Sequence, residues 1–427
     1  MGQVVEALCG DGGHGHGTAT ALCSSSQRPG GHGLGIARGA ATFCSSVSRC
    51  REERGCAMNT WSRVRTEIGV AVTATALLVA TSAPVSATPA PVSAPIPILA
   101  VDLGTLPGGT SSQATSVNDS GVVIGWSTTA SSQFAVRWVG AGTSAGLIVN
   151  LGALSGYTRS SAAGVNGAGV IVGESDSSQG VGTATQWGPN GTIVNLGTLT
   201  GYTYSAAAGI NDNGTVAGSV YNIGSGVVFR AVRWSTNGTI TNLGTLPGGS
   251  SSQAEGINSL GVVVGYSYTA SGQLAAVRWS TNGTISPLPV PSIYTGSVAE
   301  SVNDQGVVVG RVENSAGQYF AARWAPNGSF ALLGLLPGYT DSDPSAVNYS
   351  GLAVGEMTSS SGQVVAAALW APNGAAFNLG GLPSTNYAGA AAINSQGAVV
   401  GWSETAAGQI HAVRWVLSPT ALSAAGS

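Results

Sequence analysis

The chain is poor in charge and contains no lysine. Its 427 residues include 15 basic residues, all arginine, and 18 acids. Charged residues therefore make up 8% of the chain, against about 25% in ordinary soluble domains. Apolar residues reach 43%, too many for a solvated disordered chain. The apolar runs are too short for a protein with many membrane spans. No basic stripe is present, which excludes nucleic acid as a partner on electrostatic grounds.

Cysteine and histidine are almost confined to the N-terminal part of the chain. All five cysteines and three of the four histidines precede Met58. The remainder therefore gains nothing from disulfides, and the cysteine spacings form no paired C-x-x-C motif of the zinc-binding type. We predict no metal and no cofactor. Residues 1–57 are interpreted as a disordered segment or an extension upstream of the true start codon.

Residues 58–87 have the pattern of a bacterial secretory signal peptide. Arg63 and Arg65 precede an apolar stretch over 68–80, and small residues end the segment at Ala87. No cysteine follows that could carry a lipid anchor. We therefore expect a secreted, extracellular monomer without membrane attachment, provided that translation starts at Met58. Residues 88–97 are a predicted Pro/Ala linker, and 418–427 a predicted disordered tail.

Three residue types recur after Pro97 at intervals of 45 to 49 residues. The tryptophans are Trp138, Trp187, Trp234, Trp279, Trp324, Trp370 and Trp415. The asparagines are Asn118, Asn166, Asn211, Asn258, Asn303, Asn348 and Asn394. The glycines are Gly125, Gly173, Gly218, Gly265, Gly310, Gly355 and Gly401. A fixed period of this length is typical of an array of stacked structural units.

One copy of the repeat predicts four short strands. The first covers 253–258 and ends in an Asn-x-x-Gly turn. The second covers 262–267, and the third covers 274–279. Asn282-Gly283 then gives the strongest short hairpin signal, and the fourth strand starts at Thr284. Tight turns between neighbouring strands predict a four-stranded antiparallel sheet.

The apolar pattern and the phase of the repeat predict how these sheets assemble. Val262–Val264 does not alternate with polar residues, so both faces of the sheet must be covered. Sheets packed face to face around an axis, as in a β-propeller, satisfy this requirement. Residues 98–106 resemble a fourth strand without its first three, and 410–415 a third strand without its fourth. We predict an all-β, seven-bladed propeller over 98–417, closed by the N-terminal strand, which completes the last blade.

The repeated elements resemble the HAF family of extracellular repeat proteins. The family pattern D-L-G-x-L-P-G-G matches Asp102–Gly109, and I-N-x-x-G-x-V-V-G matches Val117–Gly125. Its H-A-F-x-W element corresponds to Phe134–Trp138, and only the last copy keeps the histidine, as His411. Copy four departs from the pattern at 288–291, which reads Leu-Pro-Val-Pro. The resemblance implies an extracellular location and no defined activity.

No nucleophile elbow, phosphate loop or metalloprotease motif is present, so we predict no catalytic residue. One position varies within the otherwise uniform scaffold, directly after the repeated glycine. It carries Trp126, Glu174, Ser219, Tyr266, Arg311, Glu356 and Trp402. We expect this position to be exposed on the face that bears the longer, variable loops. Tyrosines of the blade connections are expected on the same face, among them Tyr157, Tyr202, Tyr339 and Tyr387.

These aromatic and acidic residues are suited to stacking on sugars or gripping a peptide. The alternative interpretation is that they only seal the blade junctions. The leading functional hypothesis is a secreted, non-enzymatic propeller that binds an extracellular glycan or protein. The runner-up is a polysaccharide hydrolase or lyase, which requires paired acids such as Glu174 and Glu356 at catalytic separation. A purely structural surface protein is the third hypothesis.

Overall fold

The structure of the protein is a computed structural model that describes residues 98–417, except 141–144, 224–226, 363 and 384. The predicted upstream extension, signal peptide, linker and tail lie outside the described residues. Within them, 28 strands form seven four-stranded antiparallel sheets. The prediction of an all-β, seven-bladed propeller of four-stranded blades is confirmed. No helix in the described ranges is long and apolar enough to cross a membrane.

The strands follow one another in the same order in every blade. Blade 1 contains β2 (Ser112–Val117), β3 (Val123–Thr128), β4 (Gln133–Val139) and β5 (Leu147–Gly152). Blade 2 contains β6 (Arg159–Val165), β7 (Ile171–Asp176), β8 (Gly182–Trp187) and β9 (Ile193–Asn195). Blade 3 contains β10 (Tyr204–Ile210), β11 (Val216–Asn222), β12 (Val228–Trp234) and β13 (Ile240–Asn242). Blade 4 contains β14 (Ser252–Ile257), β15 (Val263–Tyr268), β16 (Leu274–Trp279) and β17 (Ile285–Pro287). Its strands match the predicted bounds to within one residue.

The remaining blades repeat this arrangement. Blade 5 contains β18 (Tyr294–Val302), β19 (Val308–Asn314), β20 (Tyr319–Trp324) and β21 (Phe330–Leu332). Blade 6 contains β22 (Tyr339–Val347), β23 (Ala353–Ser359), β24 (Val365–Trp370) and β25 (Ala376–Asn378). Blade 7 contains β26 (Ala388–Ile393), β27 (Val399–Glu404), β28 (Ile410–Val416) and β1 (Leu99–Asp102).

The fourth strand of blade 7 comes from the other end of the described chain. β1 pairs with β28 in antiparallel register, from Leu99 opposite Val416 to Asp102 opposite Val413. The carboxylate of Asp102 lies 2.8 Å from Nδ1 of His411. Burial raises the pKa of Asp102, but the hydrogen bonds with His411 and with the Gly104 N–H, together with the charge of His411, outweigh it, so the pKa is lowered overall. β1 therefore joins the blade through its backbone and through a side-chain pair.

The apolar core is divided into seven clusters, one at each junction between neighbouring blades. Each cluster holds one repeated tryptophan, and all seven tryptophans are at most 1% exposed. Five of them donate Nε1–H to a carbonyl near the end of the preceding blade: Trp138 to Leu103, Trp187 to Gly152, Trp324 to Pro289, Trp370 to Gly334 and Trp415 to Gly380. The indole thus fills the junction and anchors the chain beside it.

The repeated asparagines link the blades through a closed circle of hydrogen bonds. Each side-chain Nδ2 donates to the backbone oxygen of the next asparagine: Asn118 to Asn166, Asn166 to Asn211, Asn211 to Asn258, Asn258 to Asn303, Asn303 to Asn348, Asn348 to Asn394 and Asn394 to Asn118. Each Oδ1 also accepts a backbone N–H within its own turn, as Asn258 does from Val262. One residue type therefore forms the turn and joins neighbouring blades.

Replacement of Asn258 with alanine is expected to lower the free energy of unfolding by about 2–4 kcal/mol. The change removes one buried and one part-buried hydrogen bond and leaves the Val262 N–H and the Asn303 carbonyl with fewer partners, at about 1–3 kcal/mol for each unsatisfied group. Urea unfolding followed by tryptophan fluorescence measures the loss. The matched control is Asn237→Ala, because Asn237 is exposed and caps only its own hairpin turn. Equal losses for the two variants would contradict the role of the circle.

Candidate functional site

The variable position lies beside the innermost strand of each blade. Its seven residues pair across the sheet with a residue of the first strand: Gln113 with Trp126, Ser161 with Glu174, Ala206 with Ser219, Gln253 with Tyr266, Val298 with Arg311, Asp343 with Glu356 and Gly389 with Trp402. The first strands of adjoining blades contact one another around the ring. These pairs therefore surround the axis, near the end at which the blade connections enter.

Each first strand also contains a β-bulge one pair further along, directly after the residue that lies opposite the repeated glycine. The register shifts by one residue in all seven blades. The extra residues are Thr115, Ala163, Ala208, Glu255, Glu300, Ser345 and Ala391. A bulge re-aims side chains locally and is frequent next to functional sites.

The expectation that the variable position is exposed is wrong. Trp126 is 6% exposed, Tyr266 8% and Glu174 9%, while Arg311, Glu356 and Trp402 are half-buried. These side chains are covered by neighbouring residues instead of projecting from the face. The hydroxyl of Tyr266, for example, donates to Oε1 of Gln253 at 2.8 Å.

Residues from blades 1 to 5 enclose a cavity of about 260 Å³, which we call the axial cavity. Three variable residues of consecutive blades line it, namely Trp126, Glu174 and Ser219. The polar lining is completed by Thr115, Ser161, Gln253, Glu255 and Glu300, and the rest is alanine and glycine. The small alanine and glycine residues leave the space open. One indole and several oxygen-bearing side chains are the groups in the wall that can contact a ligand. Arg311, Glu356 and Trp402 are not among the lining residues described.

A charged network crosses blades 5 and 6 beside this cavity. Arg311 Nη1 lies 3.2 Å from Oε1 of Glu300 and is also bonded to the carboxylate of Asp343. Its guanidinium carbon lies 5.4 Å from the ring centroid of Tyr319, in cation–π geometry. Since Glu300 lines the cavity, the network connects the cavity wall to the pair formed by Asp343 and Glu356.

Glu356 has the most perturbed carboxyl group of this network. Burial and the neighbouring charge of Asp343 raise its pKa to about 7, while Arg311 acts in the opposite direction. The raised pKa means that Glu356 keeps its proton in the folded state at pH values where it is ionised in the unfolded chain.

We expect the free energy of unfolding to fall between about pH 4.5 and 7 because of Glu356. In this range the folded protein binds more protons than the unfolded chain, so stability decreases as the pH rises, by on the order of 1–3 kcal/mol. Replacement of Glu356 with glutamine removes this contribution, and the variant becomes more stable than the unsubstituted protein at about pH 8. Urea midpoints across the pH series measure the difference. If stability depended on pH in the same way in both proteins, the pKa of Glu356 would not be raised in the folded state.

A second acidic group lies in blade 2, at the C-terminal end of β7. Glu174, Asp176 and the hydroxyl of Tyr221 converge on Gly182, where an added Cβ would lie 3.2 to 3.5 Å from all three side chains. Burial raises the pKa of Asp176 and of Tyr221, and the carboxylates of Glu174 and Asp176 raise that of Tyr221 further. Tyr221 also stacks on Tyr204, with ring centroids 5.1 Å apart. This group extends the acidic character of the axial cavity through Glu174.

The tyrosines of the blade connections are half-buried. Tyr202 and Tyr339 pack against the core clusters of their junctions, and the hydroxyl of Tyr157 lies 2.9 Å from that of Thr183. Tyr387 packs against Trp402, with ring centroids 5.1 Å apart. Tyr202 and Tyr339 therefore make the contacts expected of residues that seal blade junctions, whereas Tyr387 supports an axial aromatic residue.

Glu174 and Glu356, the acids of the enzymatic hypothesis, lie in blades 2 and 6. Their neighbours differ: Glu174 lies beside Asp176 and Tyr221, and Glu356 beside Asp343 and Trp402. In the part of the chain that the structure describes, no three His, Cys, Asp or Glu side chains are grouped so that they could hold a metal ion.

Sequence reasoning missed three of the polar residues that line the axial cavity, Gln253, Glu255 and Glu300. A signal for two of them exists, because glutamate occupies the same place in the first strand of two consecutive copies. A carboxylate within an otherwise apolar inner strand indicates a polar space beside it.

No protein-family model matches this sequence, and no curated protein is significantly similar to it. Similar solved structures include a streptogramin B lyase, with 13% identity, a TM-score of 0.48 and coverage of 75% of this chain and 98% of that one. The virginiamycin B lyase from Staphylococcus aureus has 14% identity and a TM-score of 0.47, and the match covers 76% of this chain and 100% of that one. A prolyl endopeptidase structure has 11% identity and a TM-score of 0.50, and the match covers 72% of this chain and 50% of that one. At these identities the likeness concerns the propeller fold alone.

Proposed function

We propose that the protein is a secreted, non-enzymatic propeller that binds carbohydrate in the axial cavity. The observation that carries the proposal is the composition of the cavity wall, which includes the indole of Trp126, the carboxylate of Glu174 and the amide of Gln253. Aromatic rings stack on the apolar faces of sugars, while carboxylate and amide oxygens accept hydrogen bonds from sugar hydroxyls.

The size of the cavity restricts the ligand. Its volume of about 260 Å³ is just below the roughly 300–1,000 Å³ of pockets for drug-sized molecules. A single sugar residue at the end of a glycan suits this space better than an internal stretch of polysaccharide. The secretion pattern of residues 58–87 and the resemblance to the HAF family support an extracellular role.

Replacement of Trp126 with alanine is expected to weaken glycan binding by about tenfold or more, since loss of one stacked aromatic ring costs about 1–3 kcal/mol. A glycan array with the unsubstituted protein identifies the ligand, and isothermal titration calorimetry measures the affinities. Trp402→Ala is the matched comparison, because Trp402 holds the same register position in blade 7 but is not among the residues found to line the cavity. Unchanged binding by the Trp126 variant would reject the assignment of the cavity.

A polysaccharide hydrolase or lyase is the second candidate, and one observation favours it. Glu356 has a pKa raised to about 7 and pairs across the sheet with Asp343. A carboxyl group that is protonated near neutral pH beside an ionised one is the combination that general acid catalysis of glycoside cleavage uses. Turnover of a panel of extracellular polysaccharides, abolished by Glu356→Gln, would establish this activity. Absence of turnover across the panel would leave the binding function.

A further inference from the structure

The carboxylates of the axial cavity come from three separate strands. Glu174 lies on β7, Glu255 on β14 and Glu300 on β18. The bulged position is acidic only in blades 4 and 5, and the other five blades carry Thr115, Ala163, Ala208, Ser345 and Ala391 there. No described lining residue is cationic. The wall is therefore acidic as a feature of particular copies, not of the repeat.

One arginine lies beside this wall and is shared. Arg311 contacts Glu300 and Asp343 at once, so a single guanidinium serves two carboxylates, of which one lines the cavity. Removing carboxylates from water is costly unless a positive group or hydrogen-bond donors compensate. A cationic ligand would bring a positive charge and hydrogen-bond donors to this acidic wall.

Ser219 provides an independent indication that a polar ligand group enters the cavity. It is 1% exposed and lines the cavity, and its Oγ has no hydrogen-bond partner among the described residues. Buried hydroxyl groups are nearly always bonded. A donor carried by the ligand would satisfy this oxygen.

We propose that the axial cavity binds the protonated amine of an amino sugar. The inference rests on the carbohydrate-binding function proposed above and adds the charge of the ligand to it. The ammonium group lies among Glu174, Glu255 and Glu300, the hydroxylated ring faces Trp126, and one donor of the ligand reaches Ser219. An indole adds to the selectivity because its face attracts cations.

The test compares three sugars of similar size on the full chain at about pH 6, where the amine is protonated. Calorimetry or ligand-observed NMR is carried out with glucosamine, N-acetylglucosamine and glucose. Glucosamine is expected to bind about tenfold more tightly than either neutral sugar, as charge-assisted hydrogen bonds are roughly twice as strong as neutral ones. The preference shrinks as salt is added.

Two variants locate the effect. Glu255→Gln is expected to reduce the preference for glucosamine over glucose to about twofold, while glucose still binds. Ser219→Ala is nearly isosteric and is expected to weaken glucosamine binding about threefold to tenfold. Asp304→Asn is the control, because Asp304 is an exposed acid in the Asn-x-x-Gly turn of blade 5 and accepts only the backbone N–H of Ser259. Thermal melting of each variant confirms that it is folded.

Equal binding of the three sugars would overturn the inference and leave the proposed function intact. Binding of none of the sugars, with an empty glycan array, would reject both. If a linear polyamine such as spermidine bound more tightly than glucosamine, recognition of a sugar ring would be rejected. Unchanged affinity of the Ser219 and Glu255 variants would place any binding outside the axial cavity.

Discussion

Replacement of Gly265 with alanine is expected to prevent blade 4 from forming its native sheet, with a loss of more than about 4 kcal/mol of stability. A Cβ on Gly265 would lie 2.0 Å from the backbone oxygen of Gln253 and 3.0 Å from Cα of Ala254. Both atoms belong to the neighbouring strand β14, so no side-chain movement can relieve the overlap. The strand pair must separate or lose its register.

The β-bulge explains why this position is glycine in every copy. The pairing of β14 with β15 shifts by one residue directly after Ala254 opposite Gly265. The shift brings the inner strand over the glycine, and the seven repeated glycines have corresponding distances of 1.9 to 2.2 Å. The repeated glycine is thus required by the close approach of two backbones and not by turn formation.

Gly283→Ala is the matched control for this prediction. Gly283 has a φ of 86° and nothing within 4 Å of an added Cβ. Alanine there meets only backbone strain, which costs about 1–2 kcal/mol. Urea unfolding and far-ultraviolet circular dichroism compare the two variants. A Gly265 variant as stable as the Gly283 variant would show that the close approach is not rigid.

Much of the fold can be read from the sequence because its signals are local. Asn282-Gly283 and the Asn-x-x-Gly turns set the strand boundaries, and the regular tryptophans count the blades. The N-terminal strand could be assigned to the last blade because the two ends of the array lack complementary strands. In the structure, Leu99–Asp102 pairs with Ile410–Val416. Each of these signals lies within about ten residues or at a fixed period.

The circle of asparagine bonds could not be predicted in this way. Asn258 was recognisable as a turn residue, since its Oδ1 accepts from Val262 four residues later. The partner of its Nδ2 is a backbone oxygen 45 residues away, at Asn303. Backbone acceptors leave no trace in the residue type, so only the structure shows the second role.

The candidate site was predicted only in part, and the bulge is one reason. Trp126, Glu174 and Tyr266 were identified as special because the scaffold around them is uniform. Their exposure was predicted wrongly because it was inferred from variability in the sequence, whereas a position can vary and still be buried beside the inner strand of its blade. The register shift of the bulge places Glu255 and Glu300 in the cavity wall. Which side of an inner strand faces a cavity depends on this geometry and not on composition.

Replacement of Trp324 with alanine is expected to cost about 3–5 kcal/mol, the range for removing a fully buried aromatic side chain. Trp324 is 0% exposed and belongs to the cluster between blades 4 and 5. Its loss leaves a void beside Ala299, Val302 and Phe330, whose ring centroid lies 5.8 Å from that of Trp324. Chemical denaturation with circular dichroism measures the loss, because the variant has lost one of the fluorophores.

Phenylalanine variants separate the packing role of the indole from its hydrogen bond. Trp324 donates Nε1–H to the carbonyl of Pro289 at 2.8 Å, although copy four has proline where neighbouring copies have glycine. Trp279 is equally buried, yet its Nε1 has no hydrogen-bond partner among the described residues. We therefore expect Trp324→Phe to cost about 1–2 kcal/mol more than Trp279→Phe, since only the former leaves a carbonyl unpaired. Equal costs would mean that the tryptophans act by volume alone and that the bonds to the preceding blade contribute nothing to joining the ring.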